Sequence, residues 1–171
     1  SNALNTDYLY DALGRLAQTI QGDQVTNYEY DDNNNLVKKA ALIGAQRNKT
    51  EYFVYNEANQ LSANLVSVNN TEYQVSRFDY DNNGKQIAQH QYQSFMPTPN
   101  ENNVASSLKA FTDEHTAVSN YTSYDKSGRK SLHINADGGV TQWHYDAQGR
   151  VYELIRWGAR ASITSDGLTH L

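Results

Sequence analysis

Residues 8–16 read YLYDALGRL, and a near copy of that string returns five more times along the 171-residue chain. A catalytic loop is written once, because a substrate needs only one; a string that recurs is a structural unit. Aligned on the tyrosine before the acidic residue, the copies are anchored at Tyr10, Tyr30, Tyr55, Tyr80, Tyr124 and Tyr145. The steps between them are 20, 25, 25, 44 and 21 residues, so the longest is close to two ordinary steps. One residue after each anchor stand Asp11, Asp31, Asn56, Asp81, Asp125 and Asp146, and four after it Gly14, Asn34, Asn59, Gly84, Gly128 and Gly149.

Glycine and asparagine are the residues that tolerate a left-handed backbone. Aspartate or asparagine three residues earlier suits the first position of a type I turn, where the side chain bonds the backbone ahead of it. The spacing therefore predicts one device, a β-hairpin whose type I turn closes through a left-handed residue at a G1 bulge. That turn sets the register, placing Asp11 opposite Arg15 and Tyr10 opposite Leu16. The opposite-charge pairing recurs as Asp81 with Lys85, Asp125 with Arg129 and Asp146 with Arg150, while Asn35 and Gln60 take the basic position elsewhere. Exposed pairs of this kind contribute at most about 1 kcal/mol, so their role is to fix register. The anchor tyrosines, with Tyr8, Tyr28, Phe53, Phe78 and Trp143 two residues before them, are the expected core, a ladder of rings on one side of the strands.

The totals agree with a sheet protein. Thirteen tyrosines and two tryptophans supply large apolar bodies with polar tips, suited to half-buried sheet surfaces. With 14 basic against 19 acidic residues the net charge is −5, which argues against nucleic acid or an anionic membrane as the main partner. No cysteine is present, so disulfides, thiolate metal sites and a cysteine nucleophile are excluded. No apolar run approaches the roughly 18 residues of a membrane-spanning helix. Ser1-Asn2-Ala3 reads as the remnant of an expression tag, and residues 4–171 as one repeat domain. The pattern is interrupted over about residues 95–118, which carry both prolines, Pro97 and Pro99. There Val104, Leu108 and Phe111 fall at helical spacing behind an Asn103 cap, predicting a short helix that covers the sheet. ADGG, at residues 136–139, reads as a turn between strands, a two-residue hairpin being one way to close it, and SDG at 165–167 starts one more hairpin.

The strings YLYDALGRL, YEYDDNNNL, FDYDNNGKQ, YTSYDKSGRK and WHYDAQGRV resemble the YD repeats of the Rhs and YD-repeat family of bacterial polymorphic toxins, insecticidal toxin complexes and teneurins. The resemblance runs from about Asn5 to Trp157, apart from the interruption. It implies a secreted or surface-displayed protein in which many such hairpins form a hollow β shell around a toxin or effector polypeptide. The DPxG segment with which toxin shells close is missing, since no proline follows Pro99. The partners implied are the remaining repeats of a parent protein and the enclosed effector.

Catalytic chemistry has no visible organiser. GxSxG, HExxH, Walker and GxGxxG strings are absent, and the repeat aspartates are accounted for by turn geometry. A two-residue ADGG turn would set His133 and His144 diagonally on one face, too few ligands for a metal. The reading is thus all-β: a twisted antiparallel meander of repeated β-hairpins, a shell segment or partial barrel with one helical or irregular insertion. It is expected to be a non-catalytic scaffold without cofactor or metal. The alternative is a carbohydrate-binding surface that uses exposed aromatics beside Asn, Asp or Gln. Apolar end strands, with Tyr8, Tyr10, Tyr152, Leu154 and Trp157, also predict that an excised piece pairs as a two-fold homodimer.

Overall fold

The computed structural model describes residues 5–43, 47–158, 163–164 and 167–168. Residues 1–4, part of the GAQRNK turn, and Ser165 and Asp166 of SDG lie outside the described residues. The strands are β1 (Thr6–Tyr10), β2 (Leu16–Gln21), β3 (Gln24–Tyr30), β4 (Leu36–Ile43), β5 (Arg47–Tyr55), β6 (Leu61–Ser67), β7 (Glu72–Tyr80), β8 (Gln86–Tyr92) and β9 (Met96–Pro97). After the helix α1 (Val104–Glu114) come β10 (Ala117–Tyr124), β11 (Lys130–Ile134), β12 (Val140–Tyr145), β13 (Val151–Trp157), β14 (Ile163–Thr164) and β15 (Gly167–Leu168). Strands β1 to β8 and β10 to β13 are hydrogen-bonded in sequence order, with β9 added to β7 and β14 paired with β15. The fold is an antiparallel meander of hairpins with one helix.

Each predicted turn lies between consecutive strands, and the ladder slips by one residue just before the anchor tyrosine. The slip falls at Leu9/Tyr10, Glu29/Tyr30, Val54/Tyr55, Ser123/Tyr124 and His144/Tyr145. It is the bulge the turn requires, and it leaves Tyr10 opposite Leu16 and Tyr145 opposite Val151. At the other hairpin ends the connections vary. Gly22 has φ 58° in the two-residue loop between Gln21 and Gln24, the geometry that brings glycine to the first position of a type II′ turn.

The chain packs as two compact units, one of residues up to Arg77 together with Tyr92–Thr116, the other of Phe78–Gln91 with the chain from Ala117 onward. In the first unit Tyr52, Leu65 and Val75 are cross-strand neighbours on one face, with Ala63 and Tyr73 beside them, and all five are buried. Over this unit's apolar residues lies α1, whose Leu108 and Phe111 are buried, with the Phe111 ring 5.6 Å from that of Tyr92. Asn103 caps the helix, its Oδ1 accepting from the Ser106 amide at 3.1 Å. Met96 on β9 pairs beside Tyr73 and is also buried. Among the described residues of the second unit, Ala88, Ile134 and Val140 are buried apolar side chains, the last two directly opposed.

Three expectations are corrected. The anchor tyrosines are not the core: Tyr10 is 63% exposed, and Tyr30, Tyr55, Tyr80, Tyr124 and Tyr145 are half-buried. In the first unit the core takes positions outside the recurring string, Tyr52, Leu65, Tyr73 and Val75, because α1 and β9 supply a covering layer there. ADGG is not a two-residue turn, for Asn135–Gly139 repeats the geometry of the other six turns, with Gly138 at φ 82°. Its register sets His133 opposite Thr141, three residues from His144, so the two imidazoles fall on opposite faces and cannot share an ion.

Candidate functional site

The feature most repeated in the molecule is its row of turns. In the first, the Gly14 amide donates to the Asp11 carbonyl at 3.0 Å and the Asp11 amide to the Arg15 carbonyl at 2.8 Å. Asp11 Oδ1 accepts from the amides of Leu13 and Arg15, and its Oδ2 from Arg15 Nε at 2.7 Å. The amides of Asp11, Leu13, Gly14 and Arg15 and both carboxylate oxygens are thereby used, which is why an Asx side chain is written at this position. The backbone pattern recurs at Asp31, Asn56, Asp81, Asp125 and Asp146. The left-handed residues Gly14, Asn34, Asn59, Gly84, Gly128 and Gly149 have φ of 78°, 65°, 57°, 79°, 76° and 81°. Hydrogen bonds from the Arg15 amide and side chain hold the Asp11 carboxyl below the usual carboxylate range, and Arg129 and Arg150 do the same for Asp125 and Asp146. At Asp31 partial burial opposes the shift, but hydrogen bonds from Asn35 outweigh it.

Successive turns are stapled to one another. The Tyr30 hydroxyl donates to the Leu16 carbonyl at 3.0 Å, Tyr55 to Leu36 at 3.1 Å, Tyr124 to Gln86 at 3.1 Å and Tyr145 to Lys130 at 2.8 Å. Each tie runs from an anchor ring to the strand that leaves an earlier turn. Above these rings sit the cations of the earlier turns: Arg15 over Tyr30 at 4.8 Å, Lys85 over Tyr124 at 4.7 Å and Arg129 over Tyr145 at 4.2 Å. Arg15 also reaches the Asp31 carbonyl and Asn34 Oδ1, Asn35 reaches Asn59 Oδ1, and the Lys85 ammonium donates to the Gly128 carbonyl. Lys85 thus serves the next turn, whereas the sequence pattern pairs it with Asp81. Tyr30, Tyr124 and Tyr145 are half-buried because each ring lies between a cation and a neighbouring backbone.

In the first unit the segment before α1 is latched to the sheet. Glu101 Oε1 accepts from the Tyr52 hydroxyl at 2.7 Å and from Lys38 Nζ at 3.0 Å, and Lys38 lies 3.4 Å from Glu29. The Tyr52 hydroxyl and then Lys38 hold the Glu101 carboxyl below its usual value, so it stays ionised. Burial opposes the charge on Lys38, but the bond to Glu101 and the two carboxylates outweigh it and raise its pKa. Burial, then the Glu101 contact, pushes the Tyr52 phenol far up. Beside the latch, between Glu101–Ala105 and strands β4 and β5, opens a cleft of about 510 Å³. Val37, Val54 and Val104 line it together with Tyr55 and Phe53, and Asp31, Asn33, Asn35 and Asn59 of the turns bound it. Sequence reading finds the turns but not this cleft, because Lys38 and Glu101 are 63 residues apart and belong to no recurring string.

The second unit aligns three residues of familiar chemistry. His90 Nε2 lies 2.8 Å from Asp79 Oδ2, and its Nδ1 lies 2.7 Å from Ser119 Oγ. The carboxylate fixes the proton on Nε2, so Nδ1 accepts from the serine hydroxyl. The Tyr121 ring meets the imidazole edge-on at 5.8 Å. These side chains stand on β7, β8 and β10 as a polar rung across the sheet.

No family model matches the sequence, and no curated protein matches it. Among solved structures, that of TcdB2-TccC3-TEV is similar over 95% of this chain with a TM-score of 0.66 and 14% identity. TcdB2-TccC3-Cdc42 is similar over the same share at a TM-score of 0.63 and 14% identity. TcdB2-TccC3 without its hypervariable C-terminal region gives 0.64 and 13%. The chain spans 9% of the length of each. It thus has the repeated-hairpin fold of a short stretch of these TcdB2-TccC3 structures, the fold that its resemblance to Rhs and YD-repeat proteins implies.

Proposed function

We propose that this chain is a length of wall from a larger hairpin shell, a non-catalytic scaffold that encloses or displays a toxin or effector polypeptide of a secreted or surface protein. The observation that carries the reading is the match of 95% of the chain, at a TM-score of 0.66, to 9% of a TcdB2-TccC3 chain. The staples support it, since a device that ties each turn to another hairpin can be repeated without limit. So do the end strands. Tyr8, Leu9 and Tyr10 on β1, and Tyr152, Leu154 and Trp157 on β13, are exposed, and flanking hairpins of the same kind would cover them.

A wall has an inside and an outside, and adjacent residues of a strand point to opposite ones. Tyr152 and Glu153 are both exposed on β13. Tyr152→Cys and Glu153→Cys can be placed singly in a parent protein cleared of other reactive cysteines and treated with a bulky maleimide polymer, with mass spectrometry reporting the site. One position should react and the other be shielded. Equal, rapid labelling of both would overturn the enclosing wall.

A further inference from the structure

We propose that Ser119 is an acyl-acceptor site, a hydroxyl that takes up the acyl group of a small, uncharged carboxylic ester. The proposal goes beyond the shell reading and does not depend on it.

The chemistry lies in the rung of Asp79, His90 and Ser119. A serine hydroxyl is a weak nucleophile until a base stands ready for its proton. His90 Nδ1, 2.7 Å from Ser119 Oγ, is that base. The Asp79 carboxylate, 2.8 Å from Nε2, holds the ring in the tautomer that leaves Nδ1 free to accept. Two other hydroxyls show what sets this one apart. Ser62 donates to the Val54 carbonyl at 3.1 Å, and a carbonyl cannot take its proton away. Thr122 Oγ1 lies 3.1 Å from His133 Nδ1, but among the described residues no carboxylate orients that ring.

Ser119 also opens onto a space of fitting character. It lines a depression of about 310 Å³ together with Ala117, Tyr121, Ile134, Asn135 and Ala136. That volume is at the lower end of the roughly 300–1,000 Å³ of small-molecule sites. Among the described residues no charged side chain lines it, and Ala117, Ile134 and Ala136 make it apolar, which selects a short uncharged acyl group. The Oδ1 of Asn135 is taken by the amides of Asp137 and Gly139. Its Nδ2 is left to donate to the oxygen of an attacked carbonyl.

The step balances with the ester as sole co-reactant. Ser119 Oγ adds to the carbonyl carbon while its proton passes to His90 Nδ1; the bond to the leaving alcohol then breaks, and the alcohol departs with that proton. The products are an acylated serine and a free alcohol. One side-chain donor is less than the several donors of an efficient oxyanion hole, so the acyl group is taken up once and stays, a modification of the chain and no turnover.

The test treats the whole chain with 4-nitrophenyl acetate, following nitrophenolate by absorbance and locating the acetyl group by peptide mass spectrometry. A single burst of nitrophenolate and an acetyl group on Ser119 are expected. Ser119→Ala should abolish the burst, and His90→Gln should slow it about 100-fold. Asn135→Asp keeps the turn, since Asp146 accepts the corresponding two amides in its own turn, but removes the Nδ2 donor. It should slow the burst about tenfold or more and decides the matter if His90→Gln fails to fold. Asp79 is a positioning residue, so its readout is spectroscopic: nitrogen-15 shifts of His90 should place the proton on Nε2, and Asp79→Ala should spread it over both ring nitrogens. Acetyl groups spread over lysine and tyrosine side chains without excess at Ser119, a burst unchanged in folded His90→Gln or in Asn135→Asp, or a proton on Nδ1 of the unmodified chain would overturn the proposal.

Discussion

The hairpin at Tyr10 and the hairpin at Tyr55 close on the same turn, with the same backbone hydrogen bonds, and differ in almost everything else. Around the first, Tyr8, Leu9, Tyr10 and Leu13 are exposed. Around the second, Tyr52 is 3% exposed and Ala63 and Leu65 are fully buried. The turn therefore specifies register and leaves burial unspecified. Burial is decided by what lies on the face, and α1 and β9 lie only with the later hairpins of the first unit. Replacing Leu65 by Ala should break the comparison most sharply, with a loss of about 2–5 kcal/mol in denaturant unfolding, since a closed site cannot relax around the missing atoms. Tyr10→Ala should shift stability by no more than about 0.5 kcal/mol. Equal losses would mean that the repeat tyrosines carry the core after all.

The contrast also separates what a sequence of this kind exposes from what it hides. Turn chemistry is local: an Asx and a left-handed residue three positions later suffice, so all six turns and the helix behind Asn103 can be found by spacing. The seventh turn at Asn135 obeys the same rule. It is legible too, once Asn135 is aligned with Asp146 and Gly138 with Gly149. Core membership is not local. Tyr73 is buried where Met96 comes back to pair beside it, and no string near Tyr73 records that return. The latch of Glu101 on Lys38 and Tyr52, and the cleft beside it, are hidden for the same reason.

A finer version of the comparison lies within the row of turns. Arg129 and Arg150 are written identically, and each bonds the aspartate of its own turn. Arg129 also lies 4.2 Å over the Tyr145 ring, whereas the Arg150 side chain is 76% exposed. A double-mutant cycle on Arg129→Ala and Tyr145→Leu should give a coupling of about 0.5–1 kcal/mol. Arg150→Ala should leave the unfolding midpoint where it is. A null coupling would reduce the staple to a coincidence of packing.

The smallest expected effect is set by protons. The carboxyls of Asp11, Asp31, Asp125 and Asp146 sit below their ordinary value of about 3.8 because turn amides, arginine and Asn35 bind the ionised form. A group whose pKa is depressed on folding stabilises the folded state above its unfolded value, and that stabilisation is lost as pH falls through the folded value. The chain should therefore keep a flat thermal midpoint down to about pH 4 and lose stability below it. Asn56 and Asn135 build the same turn without a carboxyl, each accepting two amide hydrogens on Oδ1. Asp125→Asn should accordingly preserve the turn and remove one share of the acid-dependent loss, a shallower slope between about pH 4 and pH 2 with little change at neutral pH. A slope unchanged by the substitution would locate the acid sensitivity elsewhere, and the Glu101 latch, whose carboxyl is also held below its usual value, would be the next group to replace.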